Sequence, residues 1–103
     1  MTTLILDSAS LRATAAEVTA DSLKVELADG RSISVPLAWY PRLIHGTPEE
    51  RGRFRFIGGG EGIHWPDLDE DISIEGIVAG RPSGESQRSL QRWLKSRASK
   101  SDA

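Results

Sequence analysis

The sequence predicts a small α+β domain, and three features carry that prediction. Before residue 36, apolar and polar residues alternate in short runs separated by turn residues, which is typical of half-buried antiparallel strands. Between residues 37 and 80, prolines and glycines mark the starts and ends of short helices. After residue 84, apolar side chains recur three and four positions apart, as on one face of a helix. We therefore expect a small antiparallel sheet, formed by a three-strand meander plus a second hairpin, with short helices and a C-terminal amphipathic helix.

The composition is that of one ordinary globular domain. Of the 103 residues, 38% are hydrophobic and 27% are charged, and no apolar run could cross a bilayer. The apolar run from Leu4 to Leu6 lacks the basic flank and the length of a signal peptide, so we expect a cytoplasmic protein with no membrane partner. Because the sequence has no cysteine, disulfides, thiolate nucleophiles and cysteine-ligated zinc are excluded.

Charge divides the chain into an acidic body and a basic tail. Residues 1–80 hold 7 Lys and Arg against 13 Asp and Glu, a balance of −6, whereas residues 81–103 hold 6 against 2, a balance of +4. We predict an N-terminal arm at 1–11, an α+β domain at 12–80, and a hinge followed by a basic amphipathic helical tail at 81–103. A basic tail can bind nucleic acid, an acidic protein or its own acidic body, and charge alone does not choose among them.

The register of the first hairpins follows from matching apolar residues across the strands. A two-residue loop at Asp29-Gly30 would set apolar residues against serines. A three-residue loop with a left-handed glycine sets Val25 opposite Ile33 instead, so we predict this second register. A turn at Ala20-Asp21 aligns the apolar residues of the first two strands in the same way and completes the meander.

Prolines delimit the helices in the middle of the chain. Pro36 ends the third strand, because proline cannot continue a central ladder, and residues 37–44 then have the pattern of one or two helical turns. Thr47, with Pro48 at the first helical position and Glu50 three residues after the threonine, forms a capping box. This box predicts a second short helix, which ends at a glycine.

A second hairpin follows, joined by a glycine-rich loop at 58–61. Its register sets Phe56 opposite Ile63 and Phe54 opposite Trp65, so four large apolar side chains share one face. The other face is polar. A glycine-rich loop binds phosphate when it opens a helix, whereas this loop joins two strands, so we predict a hairpin loop.

The residues after this hairpin predict a third short helix, from about residue 73 to residue 79. Ile72 and Ile74 taken alone are also compatible with a strand, and the sequence leaves this open. On the polar face of the hairpin, Arg55 and His64 are expected to be neighbours.

At this point a set of motifs resembles a known family. The motifs, in order, are Asp29-Gly30-Arg31, Ile33-Ser34-Val35-Pro36-Leu37, Trp39-Tyr40-Pro41-Arg42-Leu43, Glu49-Glu50-Arg51, and Ile63-His64-Trp65-Pro66 followed by Leu68-Asp69-Glu70-Asp71-Ile72-Ser73. Over about residues 12–80, the chain resembles the bacterial family known as domain of unknown function 2442. The resemblance implies a small α+β fold with no established activity, and it carries over no catalytic residue. Some members are encoded beside another small protein in arrangements similar to toxin–antitoxin modules, which implies an antitoxin-like binding role.

A metal or catalytic site would have to use His64 and the acidic residues that follow it. Four carboxylates at 67, 69, 70 and 71 are compatible with a metal site or with an orienting carboxylate, but their spacing matches no ligand pattern. Carboxylates before a helix favour its positive end by about 0.3 to 1 kcal/mol each, and we interpret the acidic run in this way. A serine hydrolase triad is unsupported, because the sequence has no elbow motif. We expect no metal, no cofactor and no catalytic residue.

Large aromatic side chains in a small domain belong more often to the core than to a binding surface. We expect this of Trp65. Trp39 and Tyr40 are equally compatible with the core and with an exposed protein interface, to which Arg42 beside them would contribute.

The tail helix, predicted from about 85 to 98, needs a cover for its apolar stripe. Leu90, Trp93 and Leu94 share one face, and a stripe this narrow does not stabilise so short a helix in isolation. The stripe can dock on its own body, on a second copy or on a partner protein, and residues 85–100 can alternatively bind nucleic acid.

We conclude from the sequence that the chain is a non-catalytic protein-interaction module, and that an antitoxin-like role is its most specific form. The expected partner is another protein or a second copy of the chain. The alternatives are a nucleic-acid-binding protein that uses the basic tail, and a small metal-dependent hydrolase that uses His64 and the acidic run. The residues predicted to contact a partner are Trp39, Tyr40, Arg42, Leu90, Trp93, Leu94, Arg88 and Arg92.

Overall fold

Within residues 11–101, two three-stranded antiparallel sheets and four α-helices make up the fold. The structure is a computed structural model that describes the backbone of residues 11–101 and the side chains of residues 11–98. In chain order, the elements are β1 (Ala13–Val18), β2 (Ser22–Leu27), β3 (Ser32–Pro36), a 3-10 turn (Leu37–Trp39), α1 (Pro41–Ile44), α2 (Pro48–Gly52), β4 (Arg55–Ile57), β5 (Gly62–Trp65), β6 (Glu70–Ser73), α3 (Ile74–Val78) and α4 (Gln87–Ser101). The predicted α+β class is confirmed. The arm predicted at 1–11 lies, except for residue 11, outside the described residues.

Strands β1, β2 and β3 form the predicted meander, with β2 in the centre. Val25 lies opposite Ile33, which confirms the register with a three-residue loop. Gly30 in that loop has a φ of 95°, the left-handed conformation that this turn requires. One irregularity in β1 was not predicted: its pairing with β2 shifts between Ala13 and Ala15.

The short helices begin where the local chemistry predicts. At α2, the Thr47 hydroxyl accepts from the Glu50 N–H at 3.1 Å, and Glu50 Oε1 accepts from the Thr47 N–H at 2.9 Å, which confirms the capping box. At α3, the Ser73 hydroxyl accepts from the Gly76 N–H at 2.9 Å. Helices of four or five residues are unstable alone, so these caps and the packing of the helices on the core keep them folded.

The second hairpin has the predicted register and gains a third strand. Phe56 pairs with Ile63, and the ring of Phe54, just before β4, lies 5.7 Å from the ring of Trp65. Strand β6 then pairs with β5, with Ile72 opposite Ile63. The expected two-stranded hairpin is therefore one part of a separate three-stranded sheet.

Strand β6 corrects our interpretation of the acidic run. Glu70 and Asp71 lie on the strand, outside the first turn of α3, and the acidic residue in that first turn is Glu75. The interpretation was wrong because the pairing of this segment with β5 fixes its extended backbone. Among the described helices, none is long and apolar enough to cross a bilayer.

The apolar faces of both sheets share one core. Trp65 stands in its centre with no exposed surface, as predicted, and its indole N–H donates to the carbonyl oxygen of Arg51 at 3.0 Å. Other side chains with no exposed surface come from both sheets and from the helices, namely Leu23, Val25, Leu37, Leu43, Ile63, Leu68 and Ile74.

The glycine-rich hairpin loop ties the two sheets together at Gly60. The Gly60 carbonyl oxygen accepts from the Ala13 N–H at 2.8 Å, and the Gly60 φ of 105° is one that other residues rarely adopt. A Cβ at this position would stand 2.6 Å from the carbonyl oxygen of Ala13. The loop is thus a junction between sheets.

Replacing Gly60 with alanine is expected to lower the free energy of unfolding by about 2 kcal/mol, because strain and a collision with backbone add together. Urea unfolding followed by circular dichroism measures this loss. Gly84→Ala is the matched control, since an added Cβ there would meet no atom within 4 Å. Equal stability of the two variants would contradict the role given to Gly60.

Candidate functional site

Two arginine–glutamate pairs hold the C-terminal helix α4 to the body of the domain. In the first pair, Arg42 Nε of α1 donates to Glu85 Oε1 at 2.9 Å, and Arg42 Nη2 donates to Glu85 Oε2 at 2.5 Å. The two side chains are 15% and 11% exposed. Arg42 Nη1 also donates to the carbonyl oxygen of Asp69 at 2.9 Å. One planar guanidinium therefore joins α1, the turn before β6 and the residues that lead into α4.

The second pair fixes the helix further along its length. Arg97 Nη2 donates to Glu50 Oε1 at 2.9 Å, and Arg97 Nη1 donates to Glu50 Oε2 at 3.2 Å. Glu50 is also the acidic residue of the capping box at the start of α2. The same carboxylate therefore supports the start of α2 and anchors α4.

The indole of Trp93 is in contact with both pairs. The guanidinium carbons of Arg42 and Arg97 lie 4.9 Å and 4.8 Å from its ring centroid, a distance at which cation–π attraction operates. Trp93 is half-buried against the core, and Leu90 is 7% exposed. We call Arg42, Glu85, Glu50, Arg97 and Trp93 the helix latch. In this structure, Leu90 is buried, and Trp93 is partly covered by the body of its own chain.

The helix latch makes its two glutamates stronger acids. The hydrogen bonds from Arg42 lower the pKa of Glu85, against the opposing effect of burial, and the Ser89 hydroxyl, which donates at 2.7 Å, assists. The hydrogen bonds from Arg97 lower the pKa of Glu50 in the same way. Both carboxylates are therefore held in the charged form that the arginines bind.

Acidification is expected to release α4 from the body. A carboxyl group whose pKa is lowered by folding stabilises the folded chain above its unfolded pKa, about 4.3 for glutamate, and this stabilisation disappears as the pH falls through the folded pKa. NMR shifts of the α4 amides should therefore move toward random-coil values below about pH 4.3. In the Glu50→Gln, Glu85→Gln double variant, the amide shifts should already be displaced at neutral pH.

Glu70 has the opposite pH dependence. Burial raises the pKa of Glu70, so its contribution to stability is complete below its unfolded pKa and is lost as the pH rises through the folded value. Glu70 protonation therefore opposes acid release. If α4 stayed docked at low pH, with no change in its amide shifts, the role of the two carboxylates would be contradicted.

The outward side of α4 carries a row of cations. Arg88, Arg92 and Lys95 are four and three positions apart, and at about 100° per residue they point away from the side that holds Leu90 and Trp93. All three are exposed. Within the part of the chain that the structure describes, no carboxylate lies within 4.0 Å of their cationic nitrogens. We call these three residues the basic face.

The residues predicted to contact a partner fall into three groups. Arg88 and Arg92 are exposed, and four side chains are half-buried, namely Trp39, Arg42, Trp93 and Leu94. Tyr40 and Leu90, which are 3% and 7% exposed, need correction, since both are core residues in this structure. Tyr40 lies between the 3-10 turn and α1, and it lines a cavity together with residues of β6 and of the 81–84 segment.

His64 meets one carboxylate of the acidic run. It pairs across β5 and β6 with Asp71, and its Nδ1 lies 2.5 Å from Asp71 Oδ1. Asp67 instead accepts from Arg53 Nε at 2.7 Å, and Asp69 occupies a turn with a φ of 51°. In the described ranges, no three His, Cys, Asp or Glu side chains come together as metal ligands. The pair is a polar cross-strand contact, in which the imidazole orientation is fixed by one acid.

Sequence reasoning missed the acidic half of the helix latch. The sequence places Glu50 only in a helix cap and Glu85 only at the start of the tail helix. The opposite charges of body and tail are compatible with a tail that meets acids of the body, but they do not choose this over another partner or identify which acids are used.

The fold and the latch together define a class of protein, a small two-sheet α+β domain that carries a C-terminal helix on its surface. The chain belongs to the family described as Protein of unknown function (DUF2442), whose model matches residues 13–83. The resemblance seen in the sequence is thereby confirmed. Helix α4 lies beyond the matched residues.

Two solved structures share this fold. The crystal structure of a protein of unknown function from Rhodospirillum rubrum is 26% identical, with a TM-score of 0.63 over 74% of this chain and 94% of that one. The solution structure of an uncharacterized protein from Chromobacterium violaceum is 19% identical, with a TM-score of 0.61 over 79% of this chain and 74% of that one. No curated protein matches the sequence.

Proposed function

We propose that this chain is a non-catalytic protein-interaction module that binds an acidic protein through the basic face of α4. The observation that supports the proposal is that the cations on the two sides of this helix differ in their contacts. Arg97 is turned inward and paired with Glu50, whereas Arg88, Arg92 and Lys95 are exposed on the opposite side. The latch fixes the helix on the domain, so the cations are presented in a constant arrangement, which lowers the entropic cost of binding.

Two features favour an acidic protein over nucleic acid as the partner. The ring of Trp93, which would be the stacking platform for a base, already has two guanidiniums within 5 Å of its centroid. Residues 1–80 have a charge balance of −6, so a long phosphate backbone would extend beyond the one row of cations and be repelled by the body, whereas a protein can present its acidic residues to the basic face alone.

The most specific form of the proposal is an antitoxin-like role in the cytoplasm. It rests on the family resemblance, which implies that some members are encoded beside a second small protein. The product of the neighbouring reading frame is therefore the first partner to test. The domain would act by occupying that protein, with no chemical step of its own.

Co-expression and affinity purification with that neighbouring product test the proposal. The wild-type chain should retain the product in stoichiometric amount after nuclease treatment. The Arg88→Glu, Arg92→Glu, Lys95→Glu variant should lose it, because like charges would then meet across the interface. Arg88→Lys with Arg92→Lys should retain it, since the charge is preserved.

Charge reversal on the meander is the matched control. Lys24 and Arg31 are exposed cations of the meander, and reversing both should leave the partner bound. Retention of the partner by the basic-face variant would overturn the proposal. Retention that disappears with nuclease would assign the basic face to nucleic acid instead.

A further inference from the structure

A cavity of about 220 Å³ lies between β6, α3 and the 81–84 segment. Two backbone hydrogen bonds hold this segment over the cavity: the Arg81 N–H donates to the Gly76 carbonyl oxygen and the Ser83 N–H donates to the Trp39 carbonyl oxygen, both at 2.9 Å. The wall of the cavity that the 81–84 segment forms is therefore held in place by backbone hydrogen bonds. It lies apart from the basic face of α4.

Tyr40 lines this cavity and brings an unsatisfied polar atom to it. The residue is 3% exposed, and its hydroxyl is buried without a hydrogen-bond partner among the described residues. A buried hydroxyl in this state is destabilising, so a group that hydrogen-bonds to it would recover that lost free energy on binding.

Glu70 supplies a carboxylate on the same cavity wall. Its Oε1 accepts the Asp71 N–H at 2.9 Å. Burial raises the pKa of Glu70, and the nearby carboxylates of Glu85 and Asp71 raise it further, whereas Arg42 opposes them. Arg42 is already bound to Glu85, and among the described residues no arginine or lysine forms an ion pair with Glu70.

The charges around the cavity determine which ligands it can accept. Two carboxylates line it, those of Glu70 and Asp71, against the guanidinium of Arg81. A neighbouring pocket that shares Glu70 and Asp71 adds the carboxylates of Asp69 and Glu85 and the guanidinium of Arg42. Anions such as phosphates or carboxylates would be repelled. A divalent metal is disfavoured too, since no three ligand side chains are grouped within the described residues.

We propose that the cavity is a binding site for a single alkylammonium group. An ammonium carries three donors and no acceptor, and here it would donate one hydrogen bond to the Glu70 carboxylate and one to the Tyr40 hydroxyl oxygen. The volume suits a short unbranched amine rather than a drug-sized molecule. The group belongs either to a free small amine or to a lysine side chain of another protein, and both present the same chemistry.

Titration of the full chain with n-butylammonium, followed by amide NMR at neutral pH, tests the site. Saturable shifts are expected at the amides of Glu70, Asp71 and Ser83. Glu70→Gln keeps the shape and removes the charge, so it should weaken binding at least about tenfold. Tyr40→Phe removes the hydroxyl alone and should weaken binding about fivefold. Since Tyr40→Phe deletes an unpartnered polar atom, it should fold as well as the wild type.

Two controls make the result specific. Glu75→Gln removes an exposed carboxylate of α3 outside the cavity wall and should leave the affinity unchanged. Butan-1-ol has the same length as the amine without its charge and should bind at least about tenfold more weakly. Equal binding of the alcohol and the amine would overturn the proposal. So would an absence of saturable shifts, or wild-type affinity in both Glu70→Gln and Tyr40→Phe.

A lysine-containing pentapeptide, Gly-Gly-Lys-Gly-Gly with blocked ends, distinguishes the two sources. Tighter binding than n-butylammonium, with the same loss in Glu70→Gln, would assign the site to a lysine side chain of a partner. Weaker binding of the peptide than of the amine, with the same loss, would assign it to a free small amine. These results are independent of whether the basic face binds an acidic protein.

Discussion

The Trp65→Ala variant is expected to lose about 4 kcal/mol of unfolding free energy, the largest effect of a single substitution that we predict. Trp65 has no exposed surface, packs its ring 5.7 Å from that of Phe54, and satisfies the carbonyl oxygen of Arg51 with its indole N–H. Its removal leaves a large cavity and an unpaired carbonyl group. Because domains of this size are stable by about 5–15 kcal/mol, this loss removes between about a quarter and about four fifths of the stability, and the variant should still be mostly folded in water.

Urea unfolding followed by far-UV circular dichroism measures this effect without relying on the deleted chromophore. Trp39→Ala is the matched control, because Trp39 is only half-buried at the edge of the same core and its backbone contact to Ser83 is kept. The control should lose roughly half as much stability. Equal losses would mean that Trp65 is not the centre of the core.

The second large effect is expected at Arg42, where alanine should lower the unfolding free energy by about 3 kcal/mol. The substitution leaves Glu85, 11% exposed, as a carboxylate without its partner, and frees the carbonyl oxygen of Asp69. The loss should be concentrated in α4, whose amides should exchange with deuterium much faster than those of β2.

Arg53 provides an internal comparison for Arg42. Its Nε donates to Asp67 Oδ2 at 2.7 Å, as short a contact as those of Arg42, but its side chain is 60% exposed. Exposed pairs contribute about 0 to 1 kcal/mol, so Arg53→Ala should be nearly neutral. If the two variants lost the same stability, the burial of the Arg42–Glu85 pair would not be what fastens α4.

Local chemistry made much of the fold predictable. The register of β2 and β3 follows from the alternation of apolar residues and from Gly30, whose position in the loop is decided within a few residues of chain. The start of α2 is likewise decided by Thr47 and Glu50, three residues apart. In both cases the structure is determined by groups that are neighbours in the sequence.

Strand β6 was harder to predict, because the alternation of apolar and polar residues in this segment is too short to distinguish a strand from a helix. Its extended backbone depends on pairing with β5, and the buried contact of Ile72 with Ile63 determines that pairing. The acidic residues of the run at 67–71 consequently have separate partners. Asp67 pairs with Arg53, and Asp71 pairs with His64.

The candidate sites depend on contacts between distant residues, which is why the sequence revealed them only in outline. The Arg42–Glu85 and Arg97–Glu50 pairs join residues 43 and 47 positions apart. Charge patterning showed a basic tail and an acidic body but left open whether the two meet. The cavity at Tyr40 and Glu70 gave no signal in the sequence, because its walls come together only when the 81–84 segment is bound to Gly76 and Trp39.

The most direct test of the docked helix is a nuclear Overhauser measurement between the Trp93 indole and the Arg42 side chain. In uniformly labelled, dilute protein these cross-peaks should be present. In a mixture of labelled and unlabelled chains, filtered for contacts between molecules, they should be absent. Cross-peaks found only in the filtered mixture, or random-coil shifts throughout α4, would contradict a helix held on the body of its own chain.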